Sequence, residues 1–241
     1  MHHVILERWS RGRSPLHRRD PRFKAVALLV FLVVVATAGQ RLPLVAAVWF
    51  LLLCGTAVAA RLPLAAAAAR AGIVLSFTAV FAGISWLAGD PARALSLILK
   101  SYLSAFAVLL LVSTTPMSGL LHGLERLGAP RFLLMVAQFL YRYLFVISEK
   151  AQHMHRAALS RGFGGSRRRS GRMEAAAGAV ATLFAKSYGR AEGIHRAMLA
   201  RGFNGQFQPL EPLRAGAADW AFGAAAVLAP IAVRVAIERG A

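Results

Sequence analysis

The sequence predicts an all-α integral membrane protein with about five transmembrane helices and additional long helices at the cytoplasmic face. Of its 241 residues, 57% are apolar and 16% are charged, whereas about a quarter of the residues in soluble domains are charged. The apolar residues form runs long enough to cross ~30 Å of hydrocarbon. Basic residues cluster between these runs, so the net charge of +19 indicates cytoplasmic loops rather than a nucleic-acid-binding surface.

Five apolar segments are predicted to cross the membrane. They cover residues 21–39, 42–60, 71–88, 94–112 and 217–237. The first begins at Asp20-Pro21, where Asp is a favourable N-cap and Pro suits the first helical position. Small residues at 36–38 imitate a signal-peptide cleavage site, but another apolar run follows at once, so we interpret this segment as a retained span. Lys100 lies near enough to a span end to extend its ammonium group toward the headgroups.

The distribution of basic residues predicts the orientation and the domain organisation. Seven Lys and Arg residues precede Ala25 and fifteen lie between Pro116 and Ala215, so both regions are expected in the cytoplasm. The sequence thus divides into a membrane region at residues 1–115 with four spans, a cytoplasmic helical region at residues 116–215, and a last span at residues 216–241. We expect a multi-pass protein of the cytoplasmic (inner) membrane with a cytoplasmic N-terminus.

Three helices are predicted between the fourth and fifth spans, over residues 117–127, 131–161 and 173–201. Each is followed by a glycine that suits a left-handed C-terminal cap. The second helix has a broad apolar stripe, formed by Leu133, Val136, Phe139, Leu140, Tyr143, Leu144 and Ile147. Because these helices lack the uninterrupted apolar run of a lipid-facing span, we expect them to lie along the inner membrane face or to pack together.

The ends of the two longest helices carry a duplicated motif. The segment HRAALSRGF at residues 155–163 returns as HRAMLARGF at residues 195–203, and another Gly follows two residues after each copy. An ordinary helix end explains an Arg beside a capping Gly, since the helix macrodipole favours a cation there. It does not explain why His, Leu and Phe recur in register. We therefore interpret each copy as a docking tip, with an exposed guanidinium and an adjoining aromatic anchor.

At these residues the chain resembles the transmembrane T component of energy-coupling factor (ECF) transporters. That family ends two coupling helices with a small residue followed by Arg-Gly, as the chain does twice. The predicted ATPase-docking residues are Ser160, Arg161, Gly162, Phe163, Ala200, Arg201, Gly202 and Phe203. Ser160 departs from the commoner Ala. Thr115-Pro116 and residues 124–131 and 142–149 also resemble the coupling region, and residues 14–24 resemble the cobalt and nickel (CbiQ-type) subgroup.

The resemblance implies a division of labour among several chains. Two ATPase subunits, or an ATPase homodimer, would supply energy, and a separate membrane S component would bind cobalt or nickel. This chain would join them within the lipid bilayer through the coupling-helix region at residues 116–215. The sequence has no G-x-x-x-x-G-K-[ST] loop to cradle ATP phosphates.

The sequence offers no catalytic constellation and no convincing metal site. It holds one cysteine and ten carboxylates, with no Ser/His/Asp or Cys/His arrangement. His153 and His155 are two residues apart and face different directions on a helix. We therefore expect a non-enzymatic subunit with no cofactor, no bound metal and no nucleic-acid partner. Two alternatives stay open, a self-contained permease and a non-transporting membrane scaffold. A permease would need buried polar groups or broken helices at mid-membrane.

Overall fold

The computed structural model describes most of the chain as helix. The described residues are 9, 12, 14–39, 42–162, 169–205 and 216–239, without the side chains of 169–172 and 238–239. Within these ranges there are eight α-helices and no strand, which confirms the all-α membrane fold. The helices are α1 (Pro21–Ala36), α2 (Leu42–Ala59), α3 (Leu64–Leu87), α4 (Pro91–Thr114), α5 (Met117–Arg126), α6 (Arg131–Ser160), α7 (Arg169–Ala200) and α8 (Ala217–Arg239).

Five of these helices are long and apolar enough to cross a membrane, namely α2, α3, α4, α6 and the Ala217–Ile237 part of α8. The number agrees with the sequence prediction, but the set differs. With 16 residues, α1 measures about 24 Å and is shorter than the hydrocarbon layer. The sequence predicts that the region after residue 116 does not span, but by length and composition α6 also qualifies as a candidate span. Its apolar side chains are numerous enough that Arg131 and Arg142 do not disqualify it.

The helix ends agree closely with the sequence prediction. Asp20 caps α1 by accepting a hydrogen bond from the Arg22 amide at 2.9 Å. The three helices α5, α6 and α7 end at Arg126, Ser160 and Ala200, each within one residue of its expected end. The largest error concerns α3, which begins at Leu64 rather than 71. The predicted spans leave residues 61–70 as a connection, but this stretch is rich in alanine, the strongest helix former, and the helix runs through most of it.

The chain divides into two compact units. The membrane unit comprises residues 1–128 and 211–241, and the helical-pair unit comprises residues 129–210. In the membrane unit α4 packs against α1, α2 and α3, while α8 packs against α1 and α2. The centre of its core is Trp49, which is fully buried and donates its indole N–H to the carbonyl of Pro230 at 3.2 Å. In the helical-pair unit α6 packs against α7.

Candidate docking site

The first Arg-Gly tip closes the C-terminal end of α6. Ser160 is the last helical residue and Arg161 is the C-cap. Gly162 adopts a left-handed backbone with φ +82° and donates its amide to the carbonyl of Leu159 at 3.0 Å. The Arg161 side chain is exposed. Phe163, the predicted aromatic anchor of this copy, lies outside the described residues.

The second tip closes α7 in the same way. Gly202 has φ +76° and donates its amide to the carbonyl of Leu199 at 3.0 Å. The amide of Phe203 reaches back to the carbonyl of Met198, also at 3.0 Å. These two bonds form a complete Schellman motif, which satisfies carbonyls that a helix end otherwise leaves unpaired. Ala200 and Arg201 are exposed, so this tip also presents its guanidinium to the surroundings.

The cap geometry alone does not distinguish a docking site from an ordinary helix end. At the end of α3, Gly89 has φ +85° and donates to Trp86, while Asp90 donates to Ser85. That end carries no arginine beside its glycine. The two tips differ from that end in having an exposed arginine directly before the left-handed glycine, where the helix dipole favours a cation. The pairing of this arrangement on α6 and α7 is the feature specific to the site.

The departure of Ser160 from alanine leaves the surface of the tip unchanged. Its hydroxyl donates to the carbonyls of Arg156 at 3.3 Å and Ala157 at 3.1 Å, one turn back in the same helix. Serine hydroxyls in helices commonly bond in this way. The hydroxyl proton of Ser160 therefore has its acceptors within α6.

Arg161 and Arg201 lie at opposite ends of the helix pair. One groove joins residues 151–159 of α6 to residues 175–183 of α7, and a second joins residues 135–147 to residues 187–203. The helices therefore run antiparallel, with a tip at each end of the pair. Since α7 has 32 residues, its length is about 48 Å at 1.5 Å per residue. Two tips separated by a distance of this order cannot enter one small pocket.

The aromatic residue of the second tip faces its own unit. Phe203 is half-buried and lines the second groove, whose volume is about 550 Å³, together with Met198 of α7 and Val136 and Phe139 of α6. Sequence reasoning assigned Phe203 to a partner's surface. Its place in the groove connects the second tip to the apolar face of the helix pair.

No metal centre accompanies the tips in the described part of the chain. There, no group of three His, Cys, Asp or Glu side chains comes close enough to hold an ion. His153 lies 3.7 Å from Glu149 one turn away, an exposed pair on a helix surface. Sequence reasoning also missed a cluster of interacting residues around Lys24 in the membrane unit, although the segment that carries it, Asp20 to Lys24, had been noticed for its resemblance to the metal-transport subgroup.

Comparison with known proteins identifies the family. The family model described as "Cobalt transport protein" (CbiQ) matches residues 12–211, which is most of the chain. The chain belongs to the CbiQ family. It is also 31% identical over 146 residues to a protein of Rhodobacter capsulatus named "Cobalt transport protein CbiQ". That alignment covers 56% of this CbiQ-family chain and 59% of the relative's length. The resemblance seen in the sequence is thereby confirmed at the level of the family.

Proposed function

We propose that this CbiQ-family chain is the transmembrane coupling subunit of an ECF-type ATP-driven importer for cobalt or nickel ions. The observation that carries the proposal is the pair of exposed Arg-Gly tips at opposite ends of an antiparallel helix pair. The family is described as cobalt transport proteins, which supports a metal ion as the substrate. The chain would be a non-catalytic part of the transporter in the cytoplasmic membrane, with its N-terminus in the cytoplasm.

Each tip would dock on a separate ATPase subunit. A guanidinium presents a planar set of N–H donors that fits carboxylates and backbone carbonyls in a groove. Because Arg161 and Arg201 lie about one helix length apart, two ATPase copies are needed to accept them. When ATP draws these copies together, both ends of the helix pair would be displaced, and rigid helices would carry that displacement to the membrane helices.

The helix pair also offers a surface for an apolar partner. Leu140 is 67% exposed and Leu144 52% exposed on α6, while Phe184 is 73% exposed and Tyr188 69% exposed on α7. Apolar exposure of this extent is typical of surfaces that meet lipid or another protein. In the proposed transporter this face would lie against the bilayer and the substrate-binding S component, and the S component would hold the ion.

The proposal is tested by replacing the tip arginines in cells that express the whole transporter. Arg161→Ala or Arg201→Ala should weaken ATPase binding about 30-fold, as for a typical interface hot spot of 2 kcal/mol. The double substitution should release the ATPases. Arg93→Ala is the control, since Arg93 is also an exposed arginine within one turn of a helix end, yet it lies outside the coupling-helix region at residues 116–215. Co-purification of ATPase subunits and uptake of radioactive cobalt are the readouts.

Full uptake by the double variant would contradict the docking role. Metal uptake by the chain purified alone into vesicles, without any ATPase, would instead favour the self-contained permease. Stable association with membrane partners but no metal uptake under any condition would favour the scaffold.

A further inference from the structure

Residues 19–24, which include the first turn of α1, contact three other helices of the membrane unit. This short segment leads into α1, and its side chains reach the end of α4, the face of α5 and the beginning of α8. None of these contacts involves the Arg-Gly tips. The segment had been noticed in the sequence for its resemblance to a subgroup, but the docking function gives it no role.

Lys24 connects α1 to the joint between α4 and α5. Its side chain is buried, and its ammonium donates to the carbonyl of Thr114 at 3.1 Å and to the hydroxyl of Thr115 at 3.3 Å. Thr114 is the last residue of α4, and Thr115 is extended before Pro116 and α5. A cation at this position satisfies a carbonyl that the helix end leaves unpaired and is favoured by the helix dipole.

Pro21 supports α5 from the other side of the joint. A Cβ added at Gly123 would lie 3.2 Å from the Cβ of Pro21 and 3.4 Å from the amide nitrogen of Arg22. A Cβ at Gly119 would lie 3.5 Å from the ring of Pro21. The glycines thus bring the backbone of α5 into close contact with the first turn of α1. This contact leaves α5 little freedom to shift relative to α1.

Contacts with α8 complete the cluster. The Asp219 carboxylate accepts from the Asp20 amide at 3.4 Å and lies 3.5 Å from the Arg19 guanidinium. The ring of Phe23 meets that of Trp220 edge-on, with centroids 4.9 Å apart. The beginning of α8 is therefore held to the same segment as the end of α4 and the face of α5.

We propose that Lys24 is a positioning residue for energy coupling, fixing the α4–α5 joint so that movement of α5 is passed to α1, α4 and α8. The inference rests on the proposed coupling function. In the chain, α5 is the last helix before the helical-pair unit begins at Ala129. Without the bonds from Lys24, the extended Thr115-Pro116 link could rotate, and the joint would absorb the movement instead of transmitting it.

A matched lysine lies at the opposite end of α1. Lys100 of α4 donates to the carbonyl of Ala36 at 2.9 Å, and the guanidinium of Arg234 binds the hydroxyl and carbonyl of Thr37 at 2.6 and 2.8 Å. These contacts cap the end of α1 with the same chemistry, but they do not touch α5. Lys100 and Thr37 therefore serve as controls for Lys24 and Thr115.

The test compares Lys24→Met with Lys100→Met, and Thr115→Val with Thr37→Val, in the complete transporter in proteoliposomes. Cobalt taken up and ATP hydrolysed are measured on the same vesicles. Lys24→Met should lower the ions moved per ATP by about fivefold or more, the lower end of couplings typical of linked sites. Thr115→Val should lower this ratio less, in the same direction. The apparent KM for cobalt should not change, because the ion binds elsewhere, and neither control should alter the ratio.

An unchanged ratio in Lys24→Met, or equal losses in Lys24→Met and Lys100→Met, would overturn the inference. If Lys24→Met does not assemble, Thr115→Val and its control Thr37→Val decide instead. A normal number of ions moved per ATP in Thr115→Val overturns the inference. A lower number in Thr115→Val but not in Thr37→Val supports it. Failure of the proposed function can be distinguished from failure of this inference. If the proposed function is wrong, no ATPase subunit co-purifies with the wild-type chain, independently of any substitution at Lys24.

Discussion

The C-terminal ends of the helices described above are closed in two ways, by glycines with left-handed backbone angles and by cations that donate hydrogen bonds to carbonyl groups. Arg61 takes the left-handed position at the end of α2. It has φ +57°, and its amide donates to Val58 while that of Leu62 donates to Ala57, which is the bonding pattern of a Schellman motif. The position is thus one that glycine normally occupies.

Replacing Arg61 by glycine should stabilise the membrane unit. A left-handed backbone costs a residue with a Cβ about 1 kcal/mol, and glycine removes this strain without disturbing the two amide bonds. We expect Arg61→Gly to raise Tm by about 2–4 °C, as is usual for such a gain in a chain of this size. Thermal unfolding in detergent is the measurement. Arg61→Ala loses the same charge but keeps the Cβ, so its Tm should not rise comparably. Equal rises in Tm for the two variants would mean that the lost charge, and not the relieved backbone strain, causes the effect.

The two kinds of helix end differ in how readily the sequence reveals them. Gly128, Gly162 and Gly202 could be predicted because a capping glycine is determined by its immediate neighbours. The contacts of Lys24 and Lys100 could not, since their acceptors lie 90 and 64 residues away in the chain. The tip residues were predicted from their duplication, and their docking role stays a prediction.

At the scale of elements, α3 shows how a helix with little buried surface is held in the membrane unit. Its buried residues are all small and lie on one face, namely Ala67, Ala71, Thr78 and Ala82. Larger side chains point away, including Phe77 at 72% exposed and Leu87 at 88% exposed. Small residues at four-residue spacing let two membrane helices approach closely, and α3 packs against α4.

Enlarging this face should separate α3 from α4. Ala71 is 2% exposed, so Ala71→Leu adds three carbons to a filled space and should cost about 1–3 kcal/mol. Ala79 is exposed on the same helix, and Ala79→Leu should be nearly neutral. Resistance to thermal unfolding in detergent distinguishes them. Equal stability of the two variants would mean that α3 and α4 do not depend on close approach.

The errors in predicting elements have a common physical origin. Hydropathy marks where apolar side chains are dense, whereas a helix continues wherever the backbone permits. The alanines before Arg70 were therefore assigned to a loop, although they form the first turns of α3. Conversely, the stripe on α6 was interpreted as amphipathic, although its overall hydropathy reaches that of a candidate span. Composition alone cannot determine whether such a helix lies on the membrane or across it.

At the scale of the whole molecule, the proposed mechanism depends on which side of the membrane each region occupies. The distribution of basic residues predicts that the N-terminus and residues 116–215 both lie in the cytoplasm, which requires the short helix α1 to cross the membrane together with α2, α3 and α4. With both tips in the cytoplasm, two ATPases can bind them. If α6 crossed the bilayer, Ser118, which precedes it, and Ser160, its last residue, would face opposite sides. One tip would then be out of reach of ATP-driven partners.

Cysteine labelling determines the arrangement directly. Cys54 is the one cysteine of the sequence, so Cys54→Ala gives a background free of thiols into which Ala92→Cys, Ser118→Cys and Ser160→Cys are introduced one at a time. All three sites are exposed. We expect a membrane-impermeant maleimide to label Ala92→Cys in intact cells, and the two serine sites only after the membrane is opened. Labelling of Ser118→Cys and Ser160→Cys from opposite sides would establish α6 as a span. The paired-ATPase mechanism would then be untenable, because Arg161 would lie outside the cytoplasm.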